Sequence, residues 1–251
     1  MVNAIFVTGT AGSGKSLLTS RLMQWYRDTG AYPVTLNLDP GAVTLPYEPD
    51  IDVRNYIDIG TLMESYALGP NGALVMASDL VATKLDEIQE EVYEANPDYL
   101  IVDTPGQIEL FAFRASGPYF VSNLQADNKA TVFAFDGTLV SSPINFVSIS
   151  LLASAVKLRL KTAQVNALTK RDLVIDRLKD ILDWAASAQA LESALNVEKD
   201  AEYSLLSKDL SRSMTRAGFA PGLVAVSSTT MNGLVNVAAA LARTLNQGED
   251  G

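Results

Sequence analysis

Gly9-Thr10-Ala11-Gly12-Ser13-Gly14-Lys15-Ser16 fits the phosphate-loop pattern G-x-x-x-x-G-K-[ST], with Gly9, Gly14, Lys15 and Ser16 in the fixed places. The apolar run Ala4-Ile5-Phe6-Val7 comes directly before it, and Leu17, Leu18, Leu22 and Met23 follow at helical spacing. The context is therefore strand, loop, helix. In such a loop consecutive backbone N–H groups curl around an anion, and the following helix points its positive dipole end at the same spot. Bulky side chains would block that approach. Residues Gly9 through Leu17 are the candidate phosphate-binding set, and the motif predicts a bound nucleotide.

Working outward, the 251 residues suit a single α/β domain with a sizeable core. Hydrophobic residues make up 48%, and the sequence shows no apolar stretch approaching the roughly 20 residues that cross a bilayer. No membrane partner is expected. The apolar run from Ala4 leads straight into the loop without a basic region or cleavage site, so a cytoplasmic setting is expected. Cysteine and histidine are both absent, which removes disulfides, thiolate metal sites and the commonest general base. Chemistry must rest on carboxylates, amides, hydroxyls, lysine, arginine and a hard cation such as Mg²⁺. A net charge of −10 argues against direct nucleic-acid binding through a broad basic face.

Further along, Tyr32 to Leu38 reads as a second strand that Asp39-Pro40-Gly41 ends, which leaves Asp39 at its carboxyl end. Ligands in open α/β sheets sit beyond that edge, so Asp39 is a candidate for handling Mg²⁺ or water, against a plain turn-forming role. Residues 42–59 read as irregular, the segment that in a nucleotide switch senses the γ-phosphate, or else a surface loop. A short helix over 60–68 is expected to turn Leu62, Met63 and Tyr66 inward, and Gly69-Pro70-Asn71-Gly72 reads as a turn. One long amphipathic helix is predicted from Ala73 to Asn96, with its acidic residues forming a solvated face.

The apolar strand from Asp98 to Thr104 delivers Asp103 to its carboxyl end, within Asp103-Thr104-Pro105-Gly106-Gln107. A carboxylate there suits Mg²⁺, usually through a bound water, and Gly106 offers a hinge and a backbone N–H for the γ-phosphate. Gln107 and Glu109 either orient the attacking water or cap a helix running from Ile108 towards Leu124. Strands follow at 130–135 and 162–168, separated by a largely buried helix over 144–160. The second ends in Thr169-Lys170-Arg171-Asp172, one residue away from the guanine-reading N-K-x-D. There a carboxylate accepts from the ring N1–H and the exocyclic amino group of guanine, a donor pair that adenine lacks, while the lysine stem covers the base. Helix capping is the alternative for Asp172. Residues 173–218 read as a helical insertion, with Trp184, Leu191 and Leu195 inward, over the nucleotide edge or serving as a protein-docking surface. A last strand over 222–226 brings Ser227 towards the base, a closing helix spans 234–245, and 247–251 reads as a loose tail.

Taken in order, the loop, Asp39, Gly69-Pro70-Asn71, Asp103 to Gln107, Lys170-x-Asp172 and Ser227 resemble the GPN-loop GTPases over nearly the whole chain. The resemblance implies the three-layer α/β fold of P-loop NTPases, a mainly parallel twisted sheet flanked by helices. It also implies a homodimer in which Asn71 reaches the γ-phosphate, or its released form, in the other subunit. By the same resemblance, Lys15 and Ser16 hold phosphates and Mg²⁺, Asp103 supports the metal, and Asp39, Gln107 and Glu109 handle the water. Two departures stand out: Thr169 replaces the asparagine that braces many GTPase sites, and Thr10 stands where Min-type ATPases carry a second lysine. The expected activity is a Mg²⁺-dependent GTP-hydrolysing switch, cycling between GTP and GDP and acting on a protein client. Eukaryotic relatives suggest a client related to RNA polymerase assembly. A small-molecule kinase or ATPase, or a nucleotide-bound assembly factor with little turnover, are the alternatives.

Overall fold

The computed structural model describes residues 1–219 and 221–246, so the expected tail at 247–251 lies outside the described residues. Seven strands, β1 (Asn3–Gly9), β2 (Pro33–Asn37), β3 (Ile51–Asp52), β4 (Tyr99–Asp103), β5 (Asn128–Asp136), β6 (Ala163–Thr169) and β7 (Leu223–Ala225), form one parallel sheet. Their order is β3-β2-β4-β1-β5-β6-β7, which puts β1 and its loop at the centre. Ten α-helices are described: α1 (Lys15–Asp28), α2 (Ile59–Tyr66), α3 (Pro70–Leu80), α4 (Leu85–Ala95), α5 (Ser116–Asn123), α6 (Pro143–Leu160), α7 (Ile175–Ala186), α8 (Ala188–Asn196), α9 (Ala201–Arg216) and α10 (Leu234–Asn246).

Side-chain alternation along each strand builds the three layers. Ile5, Val7, Ile101 and Val132 point to one face, where Leu18 and Leu22 of α1 and Val237 and Leu241 of α10 cover them. Ala4, Phe6, Leu100, Val102, Phe133 and Phe135 point to the other, beneath Ile88 of α4, Phe120 of α5 and Phe146 of α6. Each large side chain so buried contributes roughly 1.5–3 kcal/mol from removal of apolar surface alone. Because β1 is covered on both faces, the loop at its end has a rigid base. The expected P-loop NTPase architecture is present.

Several local expectations need correction. The segment 42–59 is not wholly irregular: β3 pairs with β2, and the Asp50 carboxylate accepts from the Thr35 amide and hydroxyl at 2.7 Å each. The Gly69-Pro70-Asn71 run is a helix start, with Gly69 as N-cap and Pro70 inside the first turn. Proline suits that position because its φ is already helical and its missing N–H would have no partner there. The long helix expected from Ala73 is divided by a 3₁₀ turn over Val81–Lys84, where the Thr83 hydroxyl donates to the Leu80 carbonyl at 2.7 Å. Tyr66 is 58% exposed and α2 buries no residue fully, because α2 packs as an outer layer on α3.

The helix expected from Ile108 splits into a π-helical turn, Glu109–Phe113, and α5. A Cβ at Gly117 would lie 1.9 Å from the Phe111 carbonyl oxygen, so this close backbone approach requires glycine. Arg159 of α6 donates to the Ala112 and Phe113 carbonyls that the break releases. The helix α6 itself has the length and apolarity to cross a membrane, with a mean hydropathy of 1.3, which the sequence reading had not found. Its Phe146, Val147, Ala153 and Val156 are buried within the protein core. The region after Asp172 forms α7, α8 and α9, with Trp184, Leu191 and Leu195 buried as expected. Serines 204, 207 and 211 face inward from α9, while Tyr203, Leu205 and Leu206 are exposed.

Candidate active site

At the carboxyl end of β1 the loop turns through three glycines with positive φ: Gly9 at 147°, Gly12 at 74° and Gly14 at 88°. A Cβ on Gly9 would sit 2.8 Å from both the Ala134 carbonyl oxygen and Ser13 Oγ, so glycine is required where the loop crosses β5. Gly14 caps α1 in the left-handed conformation with no side chain bonded to the first-turn amides. Those N–H groups are left for an anion, which is the electrostatic condition for phosphate binding. Ala11 and Gly12 are exposed at the lip, Thr10, Ser16 and Leu17 are half-buried, and Ser13 and Lys15 are buried.

Lys15 joins two parts of the site. Its Nζ donates to the Gly9 and Thr10 carbonyls at 3.1 and 2.9 Å and, across the site, to the Gly106 carbonyl at 3.3 Å. Burial lowers its pKa, against the opposing charges of Asp103 and Asp39. Asp39 takes the Gly106 N–H on Oδ2 at 3.0 Å and the Gly41 N–H on Oδ1 at 2.9 Å, so it holds the hinge of the Asp103–Gly106 loop. Its own backbone is held by Asn37, whose amide side chain accepts from the Asp39 N–H and donates to Asp52. Asp52 in turn pairs with Arg54 at 2.6 Å, and Arg54 donates to the Ala42 carbonyl.

Asp103 is 1% exposed, and its Oδ1 has no hydrogen-bond partner among the described residues. Burial pushes its pKa up to about 6, against the hydroxyls of Ser16 and Tyr47 and the charge of Lys15. A buried carboxylate oxygen left without a partner, beside the Ser16 hydroxyl, fits a hard cation. Among the described residues no three acidic, histidine or cysteine side chains cluster as a cage. That suits Mg²⁺, which is usually bound by one or two protein oxygens together with waters and substrate phosphates.

The base end lies at the edges of β5, β6 and β7. Thr169 is 2% exposed, with its hydroxyl 2.7 Å from the Ser13 carbonyl and 3.0 Å from the Phe135 carbonyl. The hydroxyl thus braces the phosphate loop at the Ser13 carbonyl, where the guanine-reading motif carries an asparagine. Lys170 is left-handed and pairs with Asp136 at 2.7 Å. Burial would raise the Asp136 carboxyl, but bonds from Lys170 and Thr138 outweigh it and hold the pKa below its ordinary value. Asp172 sits in a 3₁₀ turn, half-buried, with its carboxylate bonded to none of the described residues. Ser227 is fully buried and accepts from the Thr230 N–H at 3.1 Å. Arg21 of α1 donates to the neighbouring Ser228 carbonyl at 2.9 Å.

Gln107 and Glu109 follow Gly106 but are exposed, with no side-chain hydrogen bond among the described residues. Asn71 is exposed at the start of α3, and its side chain likewise makes none among the described residues. The helix α3 approaches the site only indirectly: a Cβ on Gly41 would meet Leu74 at 2.8 Å. Sequence reading missed Tyr47, Asn37 and Asp136. Tyr47 and Asn37 carry no motif, and Asp136 is marked only by following directly on the strand expected over 130–135.

A family model described as "Conserved hypothetical ATP binding protein" matches residues 7–247. A GPN-loop GTPase of Pyrococcus abyssi is 37% identical over 180 residues, 70% of this chain and 70% of that protein. One from Arabidopsis thaliana is 34% identical over 235 residues, 90% of this chain and 61% of its own length. GPN-loop GTPase 1 of Dictyostelium discoideum is 34% identical over 195 residues, which is 76% of this chain. The chain spans 48%, 61% and 52% of the length of the first three curated relatives it matches. The crystal structure of a GTPase in apo form from Pyrococcus abyssi superposes with a TM-score of 0.83 at 29% identity, covering 97% of each chain.

Proposed function

This chain belongs to the GPN-loop GTPase family, and from that premise we propose that it binds GTP and hydrolyses it to GDP as a Mg²⁺-dependent switch. The observation that carries the reading is the Lys15 ammonium joining the phosphate loop to Gly106, beside Asp39 and Asp103. Entering phosphates replace those carbonyls as acceptors for Lys15 and take the free amides at the start of α1. Ser16 and Asp103 are the residues that would hold the cation with the nucleotide. When bound, Mg²⁺ neutralises charge on the β- and γ-phosphates.

Hydrolysis forms a bond from water oxygen to the γ-phosphorus and breaks the bond to the β–γ bridging oxygen. Asp39 keeps the Gly106 hinge in place, Gln107 orients the water, and the Glu109 carboxylate accepts its proton. The Asn71 side chain is exposed and makes no hydrogen bond among the described residues, which supports a role in a second subunit at the γ-phosphate. The working unit is then a homodimer, and its output is the handling of a protein client, an RNA-polymerase-related one being the reading that the resemblance supports.

The family model's description names ATP, whereas the curated relatives are named GTPases. The Asp172 carboxylate, just past the end of β6 and bonded to none of the described residues, supports guanine. Affinities for GTP, ATP and XTP decide between them: GTP should bind tightest, and Asp172→Asn should move the preference to XTP, whose ring presents an oxygen where guanine has an amino group. Tighter ATP binding, or no change in preference, overturns the guanine reading.

A further inference from the structure

Tyr47 lies in the stretch between β2 and β3, and its phenol donates to Asp103 Oδ2 at 3.2 Å. The stretch around it is tied down on both sides. The Ser20 hydroxyl of α1 reaches the Pro46 carbonyl at 3.5 Å, and Asp50 is bonded to Thr35 of β2 through its carboxylate and through its own N–H at 3.1 Å. Farther back, Arg54 holds the Ala42 carbonyl at 2.8 Å. Tyr47 is the side chain by which this stretch touches Asp103.

The two oxygens of Asp103 are treated differently. Oδ2 accepts from Tyr47, whereas Oδ1 is buried and no described residue lies within hydrogen-bond geometry of it. A phenol is protonated at neutral pH and a carboxylate can only accept, so Tyr47 is the donor in this bond. Without it, the carboxylate would lose the bond that distinguishes Oδ2 from Oδ1, and a buried acceptor would lose its partner at appreciable free-energy cost. Outer partners of this kind fix the orientation of metal-binding carboxylates.

We propose that Tyr47 is a positioning residue: it fixes Asp103 through Oδ2, leaves Oδ1 for the hydrated cation that enters with the nucleotide, and so ties the order of residues 42–50 to that carboxylate. The inference rests on the GTPase reading and adds to it a residue that belongs to none of the phosphate-loop, Asp103–Gln107 or base-reading motifs. It makes the β2–β3 stretch sensitive to what Asp103 holds, through one hydroxyl group.

Tyr47→Phe tests it, since the ring is kept and only the hydroxyl is lost. Release of a fluorescent GDP is measured against Mg²⁺ concentration and again in EDTA, and amide hydrogen exchange is followed in the nucleotide-free protein. The Mg²⁺ concentration that half-slows release should rise about 10-fold, the lower end for removing an outer partner of a metal ligand. Affinity in EDTA should stay within about twofold, which separates the cation effect from a loss of fold, and the amides of 42–50 should exchange faster while those of α1 do not. Unchanged Mg²⁺ dependence, or an equal loss of GDP affinity with and without Mg²⁺, overturns the proposal. Wild-type protein with no Mg²⁺-dependent guanine-nucleotide binding overturns the GTPase reading itself and this inference with it.

Discussion

The phosphate loop and the Gly69-Pro70-Asn71 tip start from the same local device: a glycine N-cap opens a helix, and no side chain bonds its first amides. Their surroundings differ. Around Gly14, Lys15 of α1 and the carboxyl-terminal parts of β4, β5 and β6, through Asp103, Ala134 and Thr169, close in, and the loop is packed from below. Around Gly69 nothing comparable closes in, and Gly69, Pro70, Asn71 and Gly72 are all exposed. A free helix N-terminus is therefore a common element, and what surrounds it decides whether one chain completes the site. The cradle is nearly complete within the subunit. The tip is exposed, which is what its proposed role in a second subunit requires.

The largest effect should come from the cradle. Lys15→Ala removes the charge that links Gly9, Thr10 and Gly106, and GTP affinity should fall by on the order of 10² or more in a direct binding assay. Retained affinity would break the comparison at its stronger end. Asn71→Ala should act on turnover instead: kcat falls roughly 100- to 1,000-fold, as for loss of one donor to a developing charge, with GTP affinity nearly unchanged. Equal losses in binding and turnover would place Asn71 in ground-state contact.

Smaller effects measure how firmly the cradle is braced. Thr169→Val leaves the Ser13 carbonyl without its 2.7 Å partner and should lower unfolding free energy by about 1–2 kcal/mol in urea titrations. The Lys170–Asp136 pair gives the smallest signal. The Asp136 carboxyl has a pKa below its unfolded value, so its stabilisation is present above about pH 4 and lost as pH falls through the folded value. Wild type should lose about 1 kcal/mol more than Lys170→Met between neutral and strongly acidic pH, and parallel curves would show that the pair does not stabilise the fold.

How much of this could be read beforehand differs between the same two regions. Phosphate binding depends on backbone geometry that only glycine permits, so Gly9, Gly12 and Gly14 made the cradle legible, and strand ends located Asp39, Asp103 and Asp172. The tip was read as a turn because glycine, proline and asparagine serve turns and helix starts equally well, and only Pro70 in the first helical turn separates the two. Tyr47 and Asn37 were not legible at all. Each acts through one long-range bond, Tyr47 on Asp103 and Asn37 on Asp52, and a single contact leaves no periodicity in the chain. The π-helical turn at Glu109–Phe113 was hidden for a related reason, since it depends on the close packing of Gly117 beneath Phe111.

The central claim is that cradle and tip are two halves of one catalytic site. Mixing Lys15→Ala protein with Asn71→Ala protein tests it most directly, because a mixed dimer carries one site with both an intact cradle and an intact tip. Each variant alone should be nearly inactive in GTP hydrolysis, and the mixture should recover a substantial fraction of wild-type activity as the subunits exchange. Subunit exchange demonstrated by a labelled partner, with hydrolysis no greater than the sum of the two variants measured separately, would contradict the account.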